Sequence, residues 1–102
     1  MRDSQRRVAD FLAEAELHTH PAYRLLDLTA EVGELAADAA KSSAYGDDPE
    51  SLSVHSEELG DALFALLALA AELDVDAETA LEESLAKYES RIEGDGTPGS
   101  GR

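Results

Sequence analysis

The chain contains no cysteine and no tryptophan, and aromatic residues make up 5% of its 102 positions. Without cysteine there is no disulfide framework and no thiolate metal site. That fits an intracellular protein, and a cytoplasmic location is expected. Basic residues are also scarce. Eight Lys plus Arg stand against 23 Asp plus Glu, for a net charge of −15, and the only lysines are Lys41 and Lys87. Phosphate backbones are held by Lys and Arg, so no nucleic-acid partner is expected. Long apolar runs are missing too. The longest, Ala62 to Ala71, has ten residues, whereas a membrane span needs roughly 20, so no membrane partner is expected either. No apolar run follows Met1 to Arg7, so no signal peptide is read. No stretch alternates β-branched and polar residues as a strand does.

The acids are spread along the chain instead of gathered in a tail. Two readings of them are open: a halophile-like surface whose self-repulsion salt screens, or an acidic surface for a partner. The spread favours the first.

What the sequence does have is helical periodicity. Asp3 or Ser4 can cap a first helix carrying Val8, Phe11, Leu12 and Ala15. Pro21 opens a second helix, expected to reach Ala44. Its apolar stripe is Leu25, Leu28, Val32, Leu35 and Ala39; an acidic stripe, Asp27, Glu31, Glu34 and Asp38, runs beside it and continues into Lys41. Gly46 is expected as a left-handed cap. A third helix, with Asp48 or Ser53 as competing N-caps, ends near Leu73 and is apolar nearly all round from Leu59. A helix of that kind must be buried on every side, and so short a chain has few helices to surround it. A second copy of the chain is the simplest cover, so a homodimer is expected. Asp76 caps a fourth helix, Ala77 to about Ile92, with Ala80, Leu81, Leu85, Tyr88 and Ile92 on one face. The expected architecture is an all-α four-helix bundle over residues 1–92, its core completed by homodimerisation, with a disordered Gly- and Ser-rich tail at 93–102.

One pattern is written twice. Glu31-Val32-Gly33-Glu34-Leu35 and Glu58-Leu59-Gly60-Asp61-Ala62 both read acid, apolar, Gly, acid, apolar. Residues three apart share a helix face, so each copy sets two carboxylates side by side, and two facing copies would gather four. Glycine within a helix costs about 0.5–1 kcal/mol relative to Ala, which points to close approach of a backbone or a ligand at Gly33 and Gly60. Four carboxylates without imidazole or thiolate suit a hard cation, Mg2+ or Mn2+, and Mg2+ commonly bridges carboxylates to phosphates. A single acid pair at this spacing is usually a solvated face; the doubling and the matched glycines set this one apart.

Glu31-x-x-Glu34 followed by Glu58-x-x-Asp61, with the apolar third helix after it and Lys87-Tyr88-x-x-Arg91 beyond, resembles the MazG-type nucleotide pyrophosphohydrolases of the all-α NTP pyrophosphatase superfamily. The resemblance covers roughly residues 23–92. It implies a Mg2+-dependent hydrolase that splits a nucleoside triphosphate into monophosphate and pyrophosphate, as in house-cleaning of non-standard nucleotides. It implies Glu31, Glu34, Glu58 and Asp61 as metal ligands, with Glu34 or Glu31 also acting on the attacking water. Lys87, Arg91 and Lys41 are candidates for phosphate contacts. Tyr88, and Tyr45 with it, are candidates for contact with the base. The dimer is expected to stand alone or to pair into a tetramer.

Two features depart from the family. Leu85 stands where relatives often carry Asn, and the Trp that some relatives use around the base is absent. A phosphoribosyl-ATP pyrophosphatase of histidine synthesis is an alternative, but Ala62-Leu63-Phe64-Ala65 follows Asp61 where such relatives often have Tyr-His. A non-catalytic acidic helical module that binds a partner protein is another. His18, His20 and His55 lack ligand spacing and are read as loop or surface residues.

Overall fold

The structure is a computed structural model that describes residues 1–95, the side chain of Asp95 excepted. It contains four α-helices: α1 (Arg2–Glu14), α2 (Pro21–Ser42), α3 (Ser56–Glu72) and α4 (Ala77–Asp95). A single 3-10 turn, Pro49–Ser51, lies between α2 and α3. The described residues include no strand. No described helix is long and apolar enough to cross a membrane.

The local signals act largely as the sequence predicts. Pro21 sits in the first turn of α2, and the His20 ring accepts from the Ala22 N–H at 3.0 Å. Asp76 caps α4 by accepting from the Glu78 N–H at 3.0 Å. Four boundaries differ. α1 starts at Arg2 with Met1 as its N-cap, not Asp3 or Ser4, because the Met1 carbonyl already accepts from the Gln5 N–H at 2.9 Å and so places both residues inside the first turn. The N-cap of α3 is His55, three residues after Leu52, because the Pro49–Ser51 turn takes up the chain first. The α2 helix stops at Ser42 instead of Ala44. There Ser43 turns its hydroxyl back onto the Ala39 carbonyl at 2.6 Å, and Ala44, Tyr45 and Gly46 all adopt positive φ. Finally, α4 continues through Glu93 and Gly94 to Asp95. The expected tail therefore does not begin at Glu93; residues 96–102 lie outside the described residues.

The core is small and centred on α3. Its buried apolar residues are Ala65, Leu67, Ala68 and Ala70, joined by Leu12 of α1, which is fully buried. α3 packs chiefly against α2 and α1. Phe11 and Phe64 meet edge to face, with ring centroids 6.0 Å apart, across α1 and α3. α4 makes its main contact with α1, through its first turn. Arg2 Nε lies 2.8 Å from the Asp76 carboxylate, and the Gln5 side-chain amide both donates to the Val75 carbonyl (2.7 Å) and accepts from the Ala77 N–H (2.8 Å). Four helices are present, as expected, but within one chain they do not close into a bundle.

The face of α2 that meets α3 is rotated from the expected stripe. Arg24 is buried, and Leu28, Glu31, Leu35, Asp38 and Ser42 are half-buried, at steps of four and three. Leu25 and Val32 remain about half exposed, at 53% and 50%. The α2–α3 interface thus runs between the apolar and the acidic stripe and takes one edge of each. That rotation brings acids into the interface.

Candidate functional site

α2 and α3 run antiparallel, and polar pairs mark both ends of their contact. Near the C-terminal end of α2, the Ser53 N–H donates to Ser42 Oγ at 2.9 Å. At the other end, Arg24 Nε lies 3.5 Å from Glu72 Oε2. Between these ends the acids face one another in two rungs, Asp38 with Glu58 and Glu31 with Asp61.

The second rung opens into a pocket of about 290 Å3 lined by Arg24, Asp27, Ala30, Glu31, Asp61, Phe64 and Ala65. Glu31 is its half-buried carboxylate. Removal from water, and then the nearby charges of Glu34 and Asp61, hold its carboxyl above the ordinary carboxylate range. A hydrogen bond with Glu34 and the field of Asp27 act in the same direction. In the first rung the Glu58 carboxyl is also raised, mainly by a hydrogen bond with Asp38 and then by burial, while His55 opposes the rise. Carboxylates this close do not ionise together without cost.

The structure therefore brings Glu31, Glu34 and Asp61 together and places Glu58 with Asp38, one rung away. The four expected acids lie along one helix–helix seam, but they do not converge on one point. Among the described residues, no three His, Asp or Glu side chains are posed to enclose a metal ion. The donor set nonetheless fits a hard divalent cation: oxygen donors only, two of them half-buried (Glu31, Glu58) and two exposed (Glu34, Asp61), with burial and then like charges raising the Glu31 carboxyl.

The glycines require a correction. A Cβ placed on Gly33 or Gly60 would meet nothing within 4 Å. Within one chain no backbone crosses there, because both glycines point away from the α2–α3 seam into open space. Among the described residues, no close approach offsets the cost of the two helical glycines.

The basic candidates lie elsewhere. Lys87 Nζ and the Arg91 guanidinium sit 5.1 and 5.5 Å from the Tyr88 ring centroid, so these three form one patch on α4. None of them lines the pocket, nor does Lys41 in the last turn of α2. Tyr45 is 80% exposed on the strained turn after α2. The cation that does line the pocket is Arg24, which sequence reasoning missed, as it missed Glu72 and the pairing role of Asp38. The available signal was the four-and-three spacing from Arg24 through Leu28, Glu31, Leu35 and Asp38 to Ser42, which a search for a purely apolar face passes over.

The model for the MazG nucleotide pyrophosphohydrolase domain matches residues 19–94. The chain belongs to this family. The match spans α2, α3 and nearly all of α4, and so includes both rungs of acids. The chain is also 32% identical over 96 residues to the uncharacterised protein YpjD of Bacillus subtilis, covering 89% of this chain and 85% of YpjD. The crystal structure of YpjD, described as that of a proposed pyrophosphatase, superposes with a TM-score of 0.70 at 33% identity, covering 89% of this chain and 94% of that one.

Proposed function

We propose that this MazG-family protein is a Mg2+-dependent nucleoside triphosphate pyrophosphohydrolase, releasing nucleoside monophosphate and pyrophosphate, with non-standard nucleotides as the natural substrates. The observation that carries the reading is the meeting of half-buried Glu31 with the exposed Glu34 and Asp61 at a pocket lined by Glu31 and Asp61, on the segment that matches the family.

Glu31, Glu34, Glu58 and Asp61 would hold Mg2+, or Mn2+ in its place. When bound, such an ion supplies Lewis acidity toward phosphate oxygens. Glu34 is exposed and hydrogen-bonded to Glu31, so it can orient an attacking water and accept its proton. Glu31, whose carboxyl is raised by burial and then by its acidic neighbours, is the alternative base. Phe64 and Ala65 form the apolar side of the pocket.

The phosphate contacts proposed for Lys87 and Arg91, and the base contact proposed for Tyr88, require α4 to reach the pocket. α4 is tied to α1 at its first turn, and none of these three residues lines the pocket of its own chain. A homodimer resolves this, with α4 of a second copy laid over the α2–α3 seam. The charges suit the arrangement: Lys87 and Arg91 on α4 would meet a seam whose charged groups near the pocket, Arg24 apart, are acidic. The apolar faces suit it as well. Leu59, Leu63 and Leu66 of α3 and Leu81, Leu85 and Ile92 of α4 are each 43–57% exposed in one chain. A groove of about 390 Å3 between α3 and α4, lined by Leu63, Leu66, Leu73, Ala77 and Leu81 among others, stands open. A pairing of dimers into a tetramer is compatible with the remaining exposed face of α2.

The deciding experiment is a panel of standard and modified nucleoside triphosphates assayed for pyrophosphate with Mg2+ and Mn2+, at low and at molar salt. Pyrophosphate release that depends on the divalent ion is the expected result. Its absence across the panel at both salt levels overturns the reading. Light scattering at micromolar concentration tests the dimer, and a monomer there overturns the proposed role of α4.

A further inference from the structure

One cluster within the fold has no part in the proposed chemistry. Arg24 and Glu72 are both about nine-tenths buried, with side chains 10% exposed, and they face each other across α2 and α3 at 3.5 Å. The Arg24 guanidinium also donates to the Leu17 carbonyl, and its Nη1 lies 3.9 Å from the Asp27 carboxylate. Glu72 receives the Thr19 N–H at 2.8 Å and faces His18 Nδ1 at 3.1 Å. Backbone and side-chain donors from Thr19, His18 and Arg24 hold its carboxyl below the ordinary range even though burial opposes this. One ion pair thus binds the α1–α2 connection, the first turn of α2 and the last turn of α3 at a single point.

Buried ion pairs are a poor means of gaining stability, because desolvation cancels much of the attraction; their best-attested use is to specify register. The α2–α3 seam needs such a device. The apolar residues that are buried or half-buried along it are Leu28, Leu35 and Ala39 on α2, and α3 carries Ala62, Ala65 and Ala68, also buried or half-buried. Alanine surfaces are smooth, and a slide of one helical turn, about 5 Å, would leave them in similar contact. The same slide would carry Glu31 away from Asp61. Arg24 also forms a wall of the pocket that holds both acids.

We infer that the Arg24–Glu72 pair is a register clasp, a positioning element that sets α2 against α3 so that Glu31, Glu34 and Asp61 stand in reach of one another. Its effect on metal affinity rests on the function proposed above; its effect on register does not. Both can be measured separately, because the chain has no cysteine and Gly33 and Gly60 have open space for a side chain. Spin labels on Gly33→Cys and Gly60→Cys, diluted with unlabelled chain and without divalent ions, report the distance between α2 and α3. With Arg24 and Glu72 intact, one narrow distribution is expected. Glu72→Gln should add a second population from an axial slide of about 5 Å, one turn of helix, which the labels read as a second or broadened peak shifted by less than the slide itself. Arg24→Lys keeps the charge but loses the fork, so it should broaden the distribution less; it carries the test if Glu72→Gln does not fold.

On unlabelled protein, the Mg2+ concentration at half of the metal-induced rise in Tm should increase about tenfold in Glu72→Gln, as expected for loss of an outer support of metal ligands. A lowered Tm alone would mark a merely structural pair; a displaced Mg2+ midpoint marks positioning. Unchanged distance distributions in both variants overturn the inference. So does a changed distribution with an unchanged Mg2+ midpoint. If the unsubstituted protein shows no Mg2+-induced rise in Tm at all, the metal reading fails, and the distances alone decide whether the clasp exists.

Discussion

The α2–α3 hairpin and α4 are built from similar material and treated in opposite ways. Both present an apolar stripe beside a charged one. In the hairpin the two helices cover each other along a seam that includes acids, with Ser42–Ser53 at one end and Arg24–Glu72 at the other. In α4 the first turn is fastened by Arg2, Gln5 and Asp76, while Leu81, Leu85 and Ile92 face solvent. The hairpin gathers acids beside an open pocket, and the apolar face of α4 is left uncovered by its own chain. Polar pairs at fixed places give the hairpin one register, whereas an unpaired apolar face leaves the position of α4 to whatever buries it.

The largest effect expected from disturbing this comparison is on the reaction. Glu34→Gln in the hairpin should lower metal-dependent pyrophosphate release by a factor of about 10^2–10^4, the usual weight of a general base, with helicity by circular dichroism unchanged. Full activity in this variant removes Glu34 from the site.

Stability should separate the two regions next. Leu12→Ala empties a fully buried position against α3 and should cost about 2–5 kcal/mol in denaturant unfolding. Leu85→Ala, at a position 50% exposed in one chain, should cost far less in a monomer. A loss from Leu85→Ala that approaches the loss from Leu12→Ala, and depends on protein concentration, is the outcome expected if a second copy covers α4.

A smaller effect is expected at the glycines. Gly33→Ala and Gly60→Ala meet no atom within 4 Å, so each should stabilise a single chain by about 0.5–1 kcal/mol through backbone entropy alone. A loss of activity or of dimer in these variants, alongside that gain, would place a substrate or a second copy against the outer face of the seam.

The smallest effect is electrostatic, and its sign differs between the regions. The Glu31 carboxyl is raised by burial and by Glu34 and Asp61. A raised carboxyl favours folding while protonated, and that contribution is lost as pH rises through the carboxylate range. The Asp76 carboxyl is lowered, first by its hydrogen bond from Arg2 and further by the Glu78 N–H and the Arg2 charge, against some burial. Its contribution is present above the unfolded value of about 4 and is lost as pH falls. Without divalent ions at pH 7, Glu31→Gln should therefore raise Tm and Asp76→Asn should lower it. At pH 3 both differences should shrink. Differences of the same sign at pH 7 would contradict this account.

Much of this was legible in the sequence. Pro21, Asp76 and the apolar run from Ala62 to Ala71 act locally, within a turn or two of their own positions, so helix number and the boundaries nearest to them follow from them. The doubled acidic motif was legible because helical spacing alone puts Glu31 beside Glu34 and Glu58 near Asp61. The face of α2 was misread by part of a turn, because the stripe through Leu25 and Val32 looked like the inner one. Its true inner edge includes Arg24, Glu31 and Asp38, charged residues that only a facing helix of opposite direction can make use of.

The sequence by itself determined an all-α chain, a strongly acidic surface and an oxygen-only set of candidate ligands, because composition and helical periodicity are properties of short segments. The tertiary structure decided which acids meet, that Glu58 pairs with Asp38, that Arg24 and Glu72 close the end of the seam, and that α4 stands apart from the pocket. Those outcomes depend on the register between helices. Register is fixed by contacts between residues dozens of positions apart, and no local pattern encodes it.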